Sequence, residues 1–171
     1  LNEKLATYLP ELSKTNKGDL VIKDVLTHQA GLQAFLPLWN QTLDVEKVQM
    51  AYYSNHPDEE YSNEVAMGMY ANVALKDSLF SWMVKSDLRR KPRHKRNQPY
   101  DYKYSDLGFY LMYTLAERLL NQPMDEFLDQ NLYEPLGMSS TGFNPQCKFH
   151  YLNMAPTEDD KFFRHCLVWG N

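Results

Sequence analysis

The stretch Tyr104-Ser105-Asp106-Leu107-Gly108-Phe109-Tyr110-Leu111-Met112 decides how this chain is interpreted. Its phenol and its carboxylate stand two residues apart, and an apolar run begins directly after the carboxylate. The first N–H groups of a helix have no partner within the helix, so this arrangement places polar side chains at an N-terminus that favours acceptors. Taken alone, the nine residues favour a simple interpretation, in which Ser105 or Asp106 caps the helix and Tyr104 packs beside it.

The hydrophobic pattern around this stretch predicts a mainly helical chain with a few short strands. A leucine repeat every four residues predicts a helix over 106 to 121 that Asn121-Gln122-Pro123 ends. Similar spacing predicts helices at 73 to 86 and 124 to 132, a helical face formed by Ile22, Val25 and Leu26, and a short turn that Pro10 ends. Alternation of Val65, Met67 and Met69 predicts a strand over 64 to 70, and residues 150 to 157 form a second candidate strand.

The predicted helix that contains Ile22, Val25 and Leu26 has an unusual start. Ile22, Val25 and Leu26 fall on one face, and Gly31 is expected to supply the left-handed residue that follows the helix. Val21 stands at the capping position, where it cannot accept an N–H bond. We expect a weaker helix start by about 1 kcal/mol, unless Asp19 or water substitutes for the missing acceptor.

Composition excludes several function classes. The 171 residues suit one domain with a real core, and 43% hydrophobic with 23% charged residues is an ordinary globular balance. A net charge of −4 argues against a general nucleic-acid partner. No apolar run reaches the roughly 18 residues of a membrane span. The two cysteines permit one disulfide without requiring it, and neither cysteine nor histidine spacing matches a metal site. No metal and no cofactor is expected.

Three ordered segments resemble the serine hydrolase family of class C β-lactamases, penicillin-binding D-alanyl-D-alanine peptidases and related esterases. They are residues 20 to 32 (LVIKDVLTHQAGL), 104 to 109 (YSDLGF) and 131 to 141 (NLYEPLGMSST). The resemblance implies the helical lobe of a β-lactamase/transpeptidase-like fold. It also implies an acyl-enzyme mechanism on an ester or amide, a small-molecule or cell-wall-derived substrate, and an extracytoplasmic location.

The resemblance also implies that two catalytic elements are missing from residues 1 to 171. The family's nucleophile and a lysine come from a Ser-x-x-Lys motif, and no serine here is followed by lysine three residues later. A Lys-Thr-Gly or His-x-Gly element is absent too, since Lys14-Thr15-Asn16 lacks the glycine. We therefore expect residues 1–171 to be a single partial domain, the central helical part of a larger enzyme. The remainder of the parent polypeptide would be its partner, and the chain alone would be inactive.

The resemblance assigns a catalytic role to Tyr104 and substrate contacts to Ser105 and Asp106. A free phenol has a pKa near ~10, so a nearby cation would be needed to favour the phenolate. Helix N–H groups would add a smaller push in the same direction. Many family members carry Asn at the position of Asp106. An ionised aspartate only accepts hydrogen bonds, which counts against β-lactamase activity and leaves an esterase or peptidase role open.

Several alternatives stay open. Tyr53-Ser54-Asn55 and Tyr61-Ser62-Asn63 match the family's Tyr-x-Asn literally, but neither opens an apolar helix. His28 is interpreted as a structural histidine at a helix end rather than a general base. The basic run 89 to 96 is interpreted as a solvated loop. For function, the alternatives are a non-catalytic helical binding module, or part of a parent described as a β-N-acetylhexosaminidase. The latter rests on the resemblance of residues 155 to 158 and Arg164 to a domain fused with family 3 glycoside hydrolases in some bacteria.

Overall fold

A computed structural model describes residues 1–43, 46, 52–93 and 96–169. The chain forms two compact units. The first comprises Leu1–Trp39 with Asp77–Gln122, and the second comprises Asn40–Lys76 with Pro123–Asn171. Helices hold 37% of the described residues and strands 13%. The helices are short and two small sheets form, so α+β describes the chain better than mainly α.

The described helices and strands follow in chain order. The helices are α1 Ile22–Leu26, α2 Leu75–Lys85, α3 Asp106–Leu120, α4 Met124–Leu128 and α5 Pro145–Lys148. The strands are β1 Tyr53–Ser54, β2 Asn63–Ala66, β3 Met69–Ala71, β4 Pro156–Asp160 and β5 Cys166–Trp169. Short 3-10 turns lie at Leu5–Thr7, Pro10–Leu12, Leu38–Thr42 and Tyr151–Asn153, and a π-helical turn, Asp129–Tyr133, continues α4. The predicted helices at 106 to 121 and 73 to 86 are confirmed to within two residues.

A single leucine-rich core organises the first unit. Leu107, Leu111 and Leu115 of α3 are buried, as their four-residue spacing predicts. They join the buried face of α1 and the leucines of the first two 3-10 turns in one cluster. Gly108 allows α1 and α3 to approach closely, because a Cβ there would lie 3.1 Å from Val25 Cγ1. This packing fixes the N-terminus of α3 relative to the end of α1.

The start of α1 is stabilised by backbone groups rather than by a capping side chain. Val21 is the N-cap residue and makes no side-chain hydrogen bond, as expected. The N–H groups of Ile22 and Lys23 instead donate to the carbonyls of Glu3 (3.1 Å) and Leu1 (2.9 Å). Neither Asp19 nor water is needed, since the preceding segment of chain supplies the missing acceptors.

The end of α1 corrects the expectation for Gly31. The helix ends at Leu26, and the left-handed residue that follows is His28, with a φ of 57°. Gly31 also has a positive φ, 79°. Packing requires a glycine there as well, because a Cβ at this position would lie 2.4 Å from the ring of Tyr100. Leu26 is 37% exposed, whereas Ile22 and Val25 are buried.

The second unit contains both sheets. The strand predicted over 64 to 70 is wrong: residues 63 to 71 form a hairpin of β2 and β3, with Met67 and Gly68 at the turn. Gly68 adopts a φ of 70°, which a tight turn requires, and Met67 is 71% exposed. β1 pairs with the other edge of β3 to give the antiparallel order β1-β3-β2. The alternation of apolar residues marked a hairpin and not one continuous strand.

The C-terminal part of the second unit differs in detail from the sequence prediction. The strand expected at 150 to 157 begins only at Pro156, where β4 pairs with β5 in an antiparallel sheet. A 3-10 turn, Tyr151–Asn153, precedes it. The helix predicted over 124 to 132 keeps α-geometry only to Leu128. Cys147 and Cys166 are both free thiols.

Candidate active site

The tyrosine of the 104 to 106 motif is hydrogen-bonded to its carboxylate. α3 begins at Asp106, with Ser105 as its extended N-cap residue. The Tyr104 hydroxyl donates to Asp106 Oδ1 at 2.7 Å. Tyr104 is 55% exposed, so its phenol lies at the surface of the first unit. The motif therefore presents an accessible hydroxyl and a carboxylate side by side at the mouth of a fifteen-residue helix.

The electrostatics of this pair oppose the expected push towards phenolate. The pKa of Tyr104 is raised, because Asp106 accepts a hydrogen bond from the protonated phenol and the negative charge of Asp106 disfavours a phenolate beside it. The hydrogen bond to Asp106 is the largest cause of the rise, and the charge of the same carboxylate is the next. Tyr104 is thus held as a protonated hydrogen-bond donor.

Ser105 is oriented into the protein rather than towards solvent. The residue is only 2% exposed, and its Oγ donates to the backbone carbonyl of Gln33 at 2.6 Å. It makes no side-chain capping bond to α3, although it occupies the N-cap position. The simple capping interpretation of Ser105 is therefore wrong. The bond to Gln33 anchors the motif to the loop after α1, and a substrate contact by Ser105 stays a prediction.

His28 lies against the motif, which the sequence analysis did not predict. Its ring centroid is 4.7 Å from that of Tyr104, with a tilt of 47° between the planes. Phe109 and Tyr102 contact the same imidazole at 5.5 and 5.9 Å. His28 Nδ1 accepts the backbone N–H of Ser105 at 3.3 Å. The histidine does follow a helix end, as interpreted, but it also contacts the candidate catalytic residue.

The two literal Tyr-x-Asn motifs lie in the second unit, the first beginning in β1 and the second leading into β2. Tyr53 belongs to β1, its ring contacts Phe163 at 5.3 Å, and burial raises its pKa. Asn63 opens β2, and Ser62 and Asn63 help to line a groove of about 800 Å³ beside β5. Tyr61 itself is not part of that lining. Neither motif places a tyrosine at a helix N-terminus.

The basic run supports the segment that leads to Tyr104. Arg89 and Lys91 lie over the ring of Tyr100, at 5.5 and 4.4 Å from its centroid. Arg89 Nη2 also donates to the carbonyl of Asp101 at 2.7 Å. His94 and Lys95 lie outside the described residues. The run thus includes cations engaged with the chain itself.

No cluster of three or more His, Cys, Asp or Glu side chains within 1–43, 46, 52–93 and 96–169 is suited to a metal ion. Over the same residues, no helix has the length and apolar character needed to cross a membrane.

The chain is similar to a known protein family and to a solved structure. Residues 1–151 match the family model described as Beta-lactamase. A solved structure described as a "putative beta-lactamase from Bacteroides dorei DSM 17855" superimposes with a TM-score of 0.52 at 17% identity, covering 84% of this chain and 33% of that one. At this identity the similarity concerns the fold.

Two curated relatives align along most of the chain. An N-acetylmuramyl-L-alanine amidase of Bacillus subtilis (strain 168) is 29% identical over 166 residues, which cover 91% of this chain and 30% of the relative. A "Putative D-alanyl-D-alanine carboxypeptidase" of Escherichia coli (strain K12) is 25% identical over 165 residues, covering 92% and 31%. The chain thus spans about a third of the length of these relatives.

Proposed function

The chain belongs to the beta-lactamase family of serine hydrolases, and on that premise we propose that it carries the tyrosine side of an acyl-transfer site. The reaction is hydrolysis or transfer at an ester or amide through an acyl-enzyme. The attacking serine lies outside residues 1–171, because the sequence contains no Ser-x-x-Lys. Tyr104 is the proton-transfer residue and Asp106 contacts substrate, while Ser105, which is buried and bonded to Gln33, holds the two in place.

The observation that carries the proposal is the position of Tyr104. Its hydroxyl is accessible, is paired with Asp106 at 2.7 Å, and stands at the N-terminus of α3 within the matched residues. A protonated phenol next to a carboxylate suits delivery of a proton to a leaving group. Loss of this proton leaves a phenolate beside the Asp106 carboxylate, and the repulsion between the two anions favours return of a proton to Tyr104 from the attacking serine or water. An aspartate at this place favours an ester or peptide substrate over a β-lactam amide, since it accepts and does not donate.

The substrate class is proposed from the relatives' names. Those names refer to N-acetylmuramyl-L-alanine and D-alanyl-D-alanine, which are cell-wall chemistry. We propose a cell-wall-derived substrate and an extracytoplasmic location. We also propose that the parent protein carries a family 3 glycoside hydrolase domain. Its support is the resemblance of residues 155 to 158 and Arg164 to a domain fused with such hydrolases. In the structure Arg164 forms a local ion pair with Asp160 at 3.1 Å. The intact mass and complete coding sequence of the protein test the fusion.

The direct test is replacement of Tyr104 in the full-length protein. Tyr104→Phe keeps the ring and removes the hydroxyl, and we expect turnover of a p-nitrophenyl ester to fall by roughly 10²-fold or more, as for loss of a general acid–base group. Tyr53→Phe and Tyr61→Phe are the matched controls and should stay near the parent rate. Near-normal turnover in Tyr104→Phe, with loss in either control, would assign the chemistry to the other motif.

A second measurement separates the enzyme from the alternative of a non-catalytic binding module. The full-length enzyme should release D-alanine from a D-alanyl-D-alanine peptide or hydrolyse the p-nitrophenyl ester. A binding module would do neither and would leave a serine-reactive phosphonate unconsumed.

A further inference from the structure

His28 holds the backbone on both sides of Tyr104. Its carbonyl accepts the N–H of Lys103 at 3.0 Å, and its Nδ1 accepts the N–H of Ser105 at 3.3 Å. One residue thus accepts hydrogen bonds from the N–H groups of the residues before and after the tyrosine. Nearby, the Gln29 carbonyl accepts the N–H of Tyr100 at 2.8 Å, so the loop after α1 pairs with residues 100 to 105 along several positions.

The backbone of His28 is itself unusual. Its φ of 57° lies in the left-handed region, which residues other than Gly seldom adopt, although His, Asn and Asp do so more often than the rest. A strained position is kept where the surrounding contacts over-determine it. Here the contacts are the two hydrogen bonds and the ring face against Tyr104. In this conformation His28 Nδ1 lies within hydrogen-bond distance of the Ser105 N–H.

The Ser105 anchor has a second point of attachment. While His28 Nδ1 takes the N–H of Ser105, the Ser105 hydroxyl donates to the Gln33 carbonyl. Both acceptors belong to the loop that follows α1. α1 in turn packs on α3 through Val25 and Gly108. The position of the phenol is consequently fixed by a segment far away in sequence.

We propose that His28 is a positioning residue for Tyr104: it fixes the tyrosine by accepting the Ser105 N–H at Nδ1 and by packing its ring on the phenol. The proposal rests on the proposed function of Tyr104 for its effect on catalysis. Its structural content, the hold on residues 103 to 105, stands independently of any activity. His28 does not touch the reacting atoms in this assignment.

Two substitutions separate the backbone role from the side-chain role. His28→Gly keeps the left-handed backbone and removes both the acceptor and the ring. His28→Asn tolerates the same backbone and places Oδ1 where Nδ1 lies, so it restores the acceptor without the ring. His165→Gly is the matched control, because His165 is another histidine with a left-handed φ, 54°, and lies in the second unit.

We expect His28→Gly in the full-length protein to lower kcat for the p-nitrophenyl ester about tenfold, with KM changed less than about twofold, since misplacement costs rate rather than binding. His28→Asn should recover kcat to within about threefold of the parent. In a Tyr104→Phe background, His28→Gly should change the rate less than about twofold, because a residue that acts through Tyr104 is not additive with it. His165→Gly should leave kcat unchanged.

Hydrogen exchange tests the hold itself. The Ser105 amide, followed by mass spectrometry with fragmentation of the 100 to 106 peptide, should exchange about tenfold faster in His28→Gly and at the parent rate in His28→Asn. Unchanged exchange in His28→Gly would overturn the proposal, as would an equal loss of rate in the Tyr104→Phe background. If Tyr104→Phe keeps full activity, the proposed function fails, and the exchange result alone then decides whether His28 positions the segment.

Discussion

At the residue scale, the three side chains of the motif Tyr104, Ser105 and Asp106 differ in their exposure to solvent. Tyr104 is exposed and Asp106 is half-buried, whereas Ser105, which lies between them in sequence, is buried and bonded to Gln33. This alternation follows from the extended conformation of Ser105 at the N-cap, which turns neighbouring side chains to opposite sides. The pair is therefore accessible to a substrate while its backbone stays fixed.

The prediction at this scale concerns the protonation of Tyr104. Asp106→Asn removes the negative charge that raises the phenol pKa, so we expect that pKa to fall towards the ordinary value of 10.0. NMR titration of ¹³Cζ-labelled tyrosine, with Tyr104→Phe to assign the resonance, measures this value. An unchanged or higher phenol pKa in Asp106→Asn would mean that the carboxylate does not control the proton.

At the element scale, helix ends in the first unit are satisfied by groups from distant segments. Backbone carbonyls of residues 1 and 3 cap the start of α1. Lys17 does the equivalent at the end of α2: its Nζ donates to the carbonyl of Val84 at 3.1 Å and also to that of Ser86. A lysine at a helix C-terminus meets carbonyls that have no intrahelical partner. Because Lys17 is 1% exposed, this contact carries a desolvation cost.

The prediction at this scale is a rise of stability with pH. Burial lowers the pKa of Lys17 from 10.5 to about 8. The unfolded chain therefore binds the Lys17 proton more tightly than the native protein does, and the free energy of unfolding increases as pH rises from about 8 to about 10.5. The gain should be roughly 1–3 kcal/mol relative to a variant without the amine.

Urea denaturation of the parent and of Lys17→Met across this pH range measures the difference. Lys14→Met, at an exposed lysine three residues earlier, is the matched control and should follow the parent curve. If the parent loses stability relative to Lys17→Met over the same range, the assignment of a buried amine with a lowered pKa is contradicted.

At the scale of the whole molecule, the two units contain different structural features. The first holds the leucine core, the Tyr104 motif and its support by His28. The second holds both sheets and the groove of about 800 Å³. The family match runs over residues 1–151 and so includes parts of both units. The nucleophile that the family uses has no counterpart in the sequence.

The prediction at this scale concerns the location of that nucleophile. A serine-reactive phosphonate should label the full-length protein once, and peptide mapping should place the adduct outside residues 1–171. Residues 1–171 expressed alone should acquire no adduct and hydrolyse no p-nitrophenyl ester, because an activated nucleophile needs its base within hydrogen-bond reach. An adduct on Ser105 or on another serine of residues 1–171 would require a nucleophile of a different kind.

Features that depend on neighbours a few residues away were predictable from the sequence alone. The leucine stripe of α3, the span of α2 and the place of Tyr104 at a helix N-terminus follow from periodicity and local breakers. The family motifs are similarly local runs. The turn at Met67 and Gly68 was also local, and it was missed because alternation persists across a tight hairpin.

Only the tertiary structure decided what surrounds Tyr104. His28 and Ser105 are 77 residues apart in sequence, and Gln33 and Ser105 are 72 apart. No periodicity links such residues, because their contact depends on how closely α1 and α3 pack at Gly108. The same holds for Gly31, whose missing Cβ is required by the ring of Tyr100 and not by the helix that precedes it. The sequence alone determined that a tyrosine precedes the N-terminus of α3, and packing between distant segments determined which residues hold it there.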